Sequence, residues 1–572
     1  MRPRDQTSPH TDSRSTVIAD PAVRAGDRGD DPLENPGSAG GTARDSMLVA
    51  AGTALARITG VVRVLAVGAV LGPTFFGNAY QVTNSLPNLI YYGFLAGSLV
   101  SSLLVPALVR QLSTGRLDRA AAMSGGFLGV LLAGGAVVLP VFVVAIPWLM
   151  QLAALGASGA PAGRQSDLAR VLVVMTVPQV FLYAVAGTAA AVLYAHRRFA
   201  LAAVAPAIEN LGVIAVLGLD AILYGVARSD EAAVPLGELT LLGLGSTGAV
   251  ALHAAVQWWG ARRCGVVVRP RRGWREPEVR AALHRALHAL TQAGLLATQM
   301  LVLLLVASRV AGGAVAFQIA LNFYSLPIAL IATPVGLALL PRLARLHHAG
   351  ATGEFVEAFR RGLMLGIFVA APASAGYIAV AGPLAHIVGV GQMSAASGYE
   401  LISRALTALA VGLLGQTVFF ITTQASYARG DTLTPLRSMA LQSVVCIGLC
   451  AVAVAVADGA TLLTLIGAAY AVASLVGGGH VLVRVGGGSA PLLRRMWRPL
   501  ARGLGCACLM LLPVYGMVAL STAVASGRTG MLLAVLSGSL VGLLTYGLAQ
   551  ALLRAPELAW LRSGFSTSAL DA

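Results

Sequence analysis

Two arginines in an otherwise apolar stretch, Arg57 and Arg63, are the side chains whose chemistry stands out first. A charged group at the centre of a membrane-crossing helix costs about 2.5–3.5 kcal/mol on insertion scales, so its presence points to a function. Arg57 lies about 15 Å from the start of its predicted helix, too deep to reach the interface easily. Arg63 lies nearer the far end. Guanidinium offers a planar two-pronged donor set and a charge that survives burial, which suits a phosphate or diphosphate group. Their spacing sets the two side chains about 120° apart on an ideal helix. A bend at Thr59 and Gly60 is therefore expected if both are to face one cavity.

Glu209, beside Asn210, is the one acid expected deep in the first half of the chain. Three roles fit it: a partner for Arg57, a site for a coupling cation or proton, or an internal structural contact. Asn78, Asn88, Gln299 and Asn322 are further polar groups within apolar spans. Such residues either line a polar cavity or join helices by hydrogen bonds; Gln299 shares with Glu209 the possible handling of an ion. Other apparent motifs lose to their context. Gly243, Gly245 and Gly248 match the dinucleotide-binding spacing but lie inside an apolar span with no strand before them. All 40 basic residues are arginine, so no phosphate-loop lysine exists. His253 and His386 read as isolated packed or interfacial residues, and the five cysteines as small buried thiols without metal spacing. No cofactor or metal is expected. Any work must draw on a coupling monovalent cation, the membrane potential or the gradient of the substrate itself.

The elements that position these groups follow from composition. The chain of 572 residues is 57% hydrophobic and 11% charged, against roughly 25% charged for soluble proteins, which excludes a water-soluble enzyme. Apolar runs long enough to cross a bilayer, about 20 residues each, predict fourteen helices: 47–71, 78–109, 121–149, 168–193, 201–226, 236–259, 287–311, 315–340, 355–378, 401–427, 434–457, 461–483, 500–525 and 531–553. The fold class is an all-α polytopic membrane protein. Residues 1–45 hold 6 Arg and 8 acids with few large apolar side chains, and read as a disordered cytoplasmic tail. If that tail is cytoplasmic, 26 arginines fall in loops on the inner side and six near the outer one, as the positive-inside rule requires. A multi-pass protein of a bacterial cytoplasmic membrane with both termini inside follows. The net charge of +16 is then a topology signal, with no nucleic-acid partner implied.

The chain also repeats itself. Leu86 and Pro87 on the second span correspond to Leu326 and Pro327 on the eighth, and Tyr194 to Arg198 after the fourth correspond to Tyr427 to Asp431 after the tenth. Nearly equal offsets imply a six-helix unit used twice in the same sense across the membrane. The expected domains are an N-lobe at 46–260, a cytoplasmic linker at 261–285, a C-lobe at 286–485, two additional helices at 486–555 and a tail at 556–572. Two lobes rocking about a central cavity describe a transporter; a scaffold would need no repeat.

Several motifs resemble the MurJ/MviN family of lipid II flippases, within the larger group of multidrug and polysaccharide exporters. These are Ala56, Arg57, Gly60 and Arg63; Asn78, Tyr80, Leu86 to Leu89 and Pro106; Tyr194 to Phe199 with Pro206 and Asn210; and Tyr427 to Asp431 with Thr434 and Pro435. The resemblance spans about residues 46–555. It implies fourteen helices in two lobes, and movement of an undecaprenyl-pyrophosphate-linked peptidoglycan precursor from inner to outer leaflet by alternating access. It implies diphosphate recognition by Arg57 and Arg63; Asn78, Asn88 and Asn322, from the polar groups above, are the further candidate substrate-binding positions. It also implies a cytoplasmic loop motif carried by Arg197, Arg198, Arg429 and Asp431. Lipid II, membrane lipids and cell-wall synthesis proteins are the implied partners. Asn78, Tyr91, Tyr92, Ala96, Asn322 and Ser325 stand where the family usually carries charges of either sign. An exporter of another lipid-linked oligosaccharide and a cation-coupled small-molecule antiporter are the alternatives.

Overall fold

The computed structural model describes residues 36–95, 104–154, 161–226, 233–275, 277–486 and 490–563; Ala96 and residues 1–35 and 564–572 lie outside them. Long apolar sequences in a membrane must satisfy every backbone N–H and C=O internally, and helices do so within a single segment. The N-terminal part contains α1 (Pro36–Leu71), α2 (Phe75–Leu89), α3 (Val105–Ser113), α4 (Leu117–Ala154), α5 (Pro161–Thr176), α6 (Pro178–Ala195), α7 (Phe199–Tyr224) and α8 (Leu236–Arg263). The C-terminal part contains α9 (Pro277–Ala307), α10 (Gly313–Pro327), α11 (Thr333–His348), α12 (Thr352–Val388), α13 (Ala396–Ala428), α14 (Leu433–Val456) and α15 (Gly459–Val485). It continues through α16 (Ala490–Leu509), α17 (Leu511–Val524), α18 (Gly527–Leu552) and α19 (Pro556–Ser563). Thirteen stretches of the described residues are long and apolar enough to cross a membrane. The remaining predicted span, 78–109, contains α2 and α3, on either side of residues outside the description.

Proline explains most places where one predicted span is two elements. Pro178 divides α5 from α6, because it offers no N–H and crowds the preceding turn. After Pro87 and after Pro327 the backbone widens into π-helical turns, Ile90–Leu95 and Ile328–Ala332. The two halves therefore share a local distortion as well as a sequence pattern. Such turns are rare inside helices and concentrate at functional sites.

Three segments carry structure that composition does not signal. The first helix begins at Pro36, not near residue 47, so residues 36–45 of the expected tail are helical. The Gly, Ser and Thr residues there have weak helical propensity and give no sign of it. The expected C-terminal tail contains α19, whose Glu557 pairs with Arg502 and whose Trp560 packs on the core around Phe355 and Phe359. The linker at 261–285 is folded against α4. The Arg271 N–H donates to the Gly125 carbonyl at 2.9 Å, and Val266 and Val268 are buried. Gly125 and Gly129 permit this approach, since a Cβ on Gly129 would lie 1.8 Å from the Arg271 carbonyl oxygen.

Candidate functional site

A cavity of about 360 Å³ opens between α1, α2, α7, α9 and α10. Arg57 and Arg63 both line it, although α1 runs as a continuous helix through them. The expected bend is unnecessary: the long Arg63 side chain reaches the cavity from its flank. Thr59 donates back to the Leu55 and Ala56 carbonyls at 2.8 and 3.2 Å, which keeps its hydroxyl satisfied within the helix. Arg57 is exposed and makes no ion pair or hydrogen bond among the described residues.

Arg63 is held from behind. Its Nη1 donates to Glu209 Oε1 at 3.2 Å and to Asn210 Oδ1 at 3.3 Å. Glu209 also accepts from the Tyr183 hydroxyl at 2.8 Å and from His253 Nδ1 at 2.7 Å. One buried carboxylate thus gathers donors from α1, α6 and α8. Glu209 is a partner of Arg63 rather than of Arg57, and His253, which reads as isolated in sequence, belongs to this network. Asn210 completes it by donating to the Ala56 carbonyl and to Thr59 Oγ1, both at 3.2 Å.

Two polar stripes face the arginines. Gln81, Ser85 and Asn88 come from α2, and Gln318, Asn322 and Ser325 from α10. The pairs Gln81 with Gln318, Ser85 with Asn322 and Asn88 with Ser325 each lie 237 positions apart. α2 and α10, the corresponding helices of the two halves, thus each contribute one wall, with the polar positions shifted three residues from the register of Leu86 and Pro87 with Leu326 and Pro327. Asn88 and Asn322 line the cavity as their sequence context suggests, and Asn322 Nδ2 is buried without a hydrogen-bond partner among the described residues. Gln81, Asn84, Ser85 and Gln318 are lining residues that sequence reasoning missed, although their helical spacing with Asn88 and Asn322 is a usable signal; Ser325, singled out beside Asn322, also lines the cavity. No carboxylate is among the lining residues that the structure describes.

Other predicted positions lie elsewhere. Asn78 does not line the cavity, a correction to its expected role. It is fully buried, donates to the Ser308 and Val310 carbonyls at 3.1 and 2.7 Å, and accepts from the Ala314 N–H at 2.9 Å. Its short amide can satisfy three backbone groups of the other half at once, so it is a clasp between lobes. Gln299 also misses the cavity and is buried beside Cys446. Arg197 and Arg198 are exposed in the turn between α6 and α7, with Arg197 at φ 55°. Arg429 donates to the Val485 carbonyl at 2.6 Å and lies 4.4 Å over the Phe355 ring. Asp431 Oδ1 accepts from the Leu433 and Thr434 N–H groups, both at 3.0 Å, and so caps α14. These four residues form loops away from the cavity lining. Tyr91 is buried and stacked on Tyr183, while Tyr92 is exposed.

The architecture and the cavity define a polytopic α-helical membrane protein of two repeated halves, with a polar, cationic space between them. The model of the family described as lipid II flippase MurJ matches residues 67–529, and the chain belongs to that family. It is 25% identical over 381 residues to the probable lipid II flippase MurJ of Rhizobium meliloti (strain 1021), covering 66% of this chain and 69% of that protein. It is 26% identical over 400 residues to the lipid II flippase MurJ of Burkholderia cenocepacia, covering 69% and 75%. Among solved structures it is similar to a lipid II flippase MurJ in an inward closed conformation, with a TM-score of 0.67 and 18% identity over 89% of this chain and 99% of that one. An inward-facing multidrug resistance transporter of the MATE family is similar over 76% of this chain and 95% of its own, with a TM-score of 0.59 and 16% identity.

Proposed function

We propose that this chain moves lipid II, the undecaprenyl-pyrophosphate-linked peptidoglycan precursor, from the inner to the outer leaflet by alternating access. The observation that carries the reading is the pairing of Arg57 and Arg63 in a polar cavity whose described lining has no carboxylate. Arg57 has a free guanidinium, which suits it to make the first contact with a diphosphate. Arg63 is pre-oriented by Glu209 and Asn210, so little of its side-chain freedom remains to be lost on binding. The amides and hydroxyls of the two stripes suit the sugar and peptide parts of the headgroup.

The same charges suggest how the cycle resets. The empty cavity presents two guanidiniums with one carboxylate behind them, and a bound diphosphate reverses the sign. Loaded and empty states then respond oppositely to the membrane potential, which is worth about 2.3 kcal/mol per charge per 100 mV. A coupling monovalent cation is the other route. Both termini are assigned to the cytoplasm by the arginine distribution, and cell-wall synthesis proteins are natural recipients of the product.

The test uses cells depleted of their own lipid II flippase and supplied with this chain. Wild type should restore the precursor on the outer leaflet. Arg57→Ala should insert normally yet abolish that signal, and Arg57→Lys should recover only part of it, because a point charge lacks the two-pronged geometry. Normal outer-leaflet labelling with Arg57→Ala would sink the assignment.

A further inference from the structure

A second opening shares no lining residue with the central cavity. It is a cleft of about 680 Å³ between the beginnings of α12 and α16, lined by Glu357, Arg360, Arg495, Trp497 and Arg498. Glu357 holds Arg360 in a two-pronged pair, with Nε donating at 2.9 Å and Nη2 at 2.6 Å, and it also accepts from Arg361 Nε at 2.9 Å. Trp560 of α19 backs both arginines, its ring centre 5.9 and 6.0 Å from the two guanidinium carbons. One carboxylate therefore serves two cations whose positions are fixed. Arg495 and Arg498 come from the opposite wall, three positions apart and so neighbours on the α16 surface. Both are exposed and make no ion pair or hydrogen bond among the described residues.

Arginines at helix ends are common in membrane proteins because they fix orientation. This cleft differs in that a clamped guanidinium and two free ones converge on one space. Trp497 is 67% exposed at its edge. Ala501 and Cys508, also exposed, continue from Trp497 at helical spacing along α16, and exposed Leu512 follows at the head of α17. A soluble anion would leave this apolar strip unused. A glycerophospholipid would place its phosphate among Arg360, Arg495 and Arg498 and lay its acyl chains along the strip, as basic pockets between transmembrane helices do with lipid headgroups.

We propose that the cleft between α12 and α16 binds the headgroup of an anionic glycerophospholipid from the leaflet at this end of the bundle. The site is independent of the transport reading. It would pin the additional helices to the C-lobe through a lipid bridging Arg360 with Arg495 and Arg498.

The experiment reconstitutes the full chain in phosphatidylcholine bilayers and measures association of spin-labelled phosphatidylglycerol by electron paramagnetic resonance, with spin-labelled phosphatidylcholine as reference. Phosphatidylglycerol should associate about fivefold more strongly, the ratio expected for one favourable arginine contact at an anionic surface. The double variant Arg495→Gln and Arg498→Gln should bring that ratio close to one. Removing the same charge elsewhere, with Arg345→Gln and Arg484→Gln, should leave it unchanged. An equal loss in both double variants would mean diffuse surface attraction and overturn the site. Displacement of the spin-labelled lipid by millimolar inorganic phosphate would assign the cleft to a soluble anion and overturn the lipid as occupant. Size-exclusion profiles matching wild type keep either variant interpretable, and Arg498→Gln alone, expected to lose part of the preference, tests the site should the double variant misfold.

Discussion

At the scale of single residues, the buried pair of Arg63 and Glu209 decides how the cavity is charged. Their nitrogen and oxygen lie 3.2 Å apart, with the two side chains 20% and 7% exposed. Removing one partner of a buried pair leaves an uncompensated charge and costs about 3–5 kcal/mol. Glu209→Ala should therefore lower the thermal unfolding midpoint in detergent markedly. The double variant Glu209→Ala with Arg63→Ala should recover much of the loss. Strictly additive costs would mean that the pair contributes no coupling. Arg57 and Arg63 are conspicuous in the sequence because charge inside an apolar run is unusual. That Glu209 faces Arg63, and that Tyr183 and His253 join them, is not legible there. Those contacts depend on how α1, α6, α7 and α8 are rotated about their own axes, which local pattern does not encode.

At the scale of elements, two short segments carry more structure than their composition suggests. The linker backbone lies in a groove that Gly125 and Gly129 leave open on α4. Gly129→Ala would place a methyl group 1.8 Å from the Arg271 carbonyl oxygen, and overpacking of this kind costs about 1–3 kcal/mol. Arg271 and Arg272 should then become faster sites of tryptic cleavage, read by gel against wild type; unchanged cleavage would show that the linker tolerates displacement. The turn before α14 makes a second case. Burial pushes the Asp431 carboxyl up, but hydrogen bonds from Thr434, Leu433 and Ser426 outweigh it and hold the group below its ordinary value. Its folded-state pKa is depressed, so its stabilisation is present above the ordinary carboxylate pKa and disappears as pH falls through the lowered value. Asp431→Ala should cost about 1 kcal/mol at neutral pH, as for a lost helix cap, and the gap to wild type should close in acid. A gap that persists in acid would assign the effect to packing. The apolar spans and the repeat are legible because apolar length and punctuation survive in composition. The folded linker and the helix α19 are not, since each is imposed by packing against a distant segment.

At the scale of the whole molecule, alternating access requires that one end of the cavity be shut in each state, and here the end near Leu71 is shut. The Gly312 N–H donates to the Thr74 carbonyl at 3.1 Å, and Asn78 clasps three backbone groups between Ser308 and Ala314. A Cβ on Gly391 would lie 2.4 Å from the Ala69 carbonyl oxygen, and one on Gly68 would lie 2.8 Å from Met393 Cγ. The seal is therefore made of close backbone approach and neutral hydrogen bonds, each worth about 1 kcal/mol net. Transport demands that it does open. A Gly68→Cys and Met393→Cys pair, placed in a chain whose five native cysteines are replaced, puts two thiols on this contact, where a disulfide would lock the seal. Oxidation should reduce delivery of the precursor to the outer leaflet to the level of cells lacking the chain, and a reductant should restore it. Full cross-linking with undiminished delivery would mean that the lobes never part at this end, and the alternating-access cycle would have to be abandoned for this molecule.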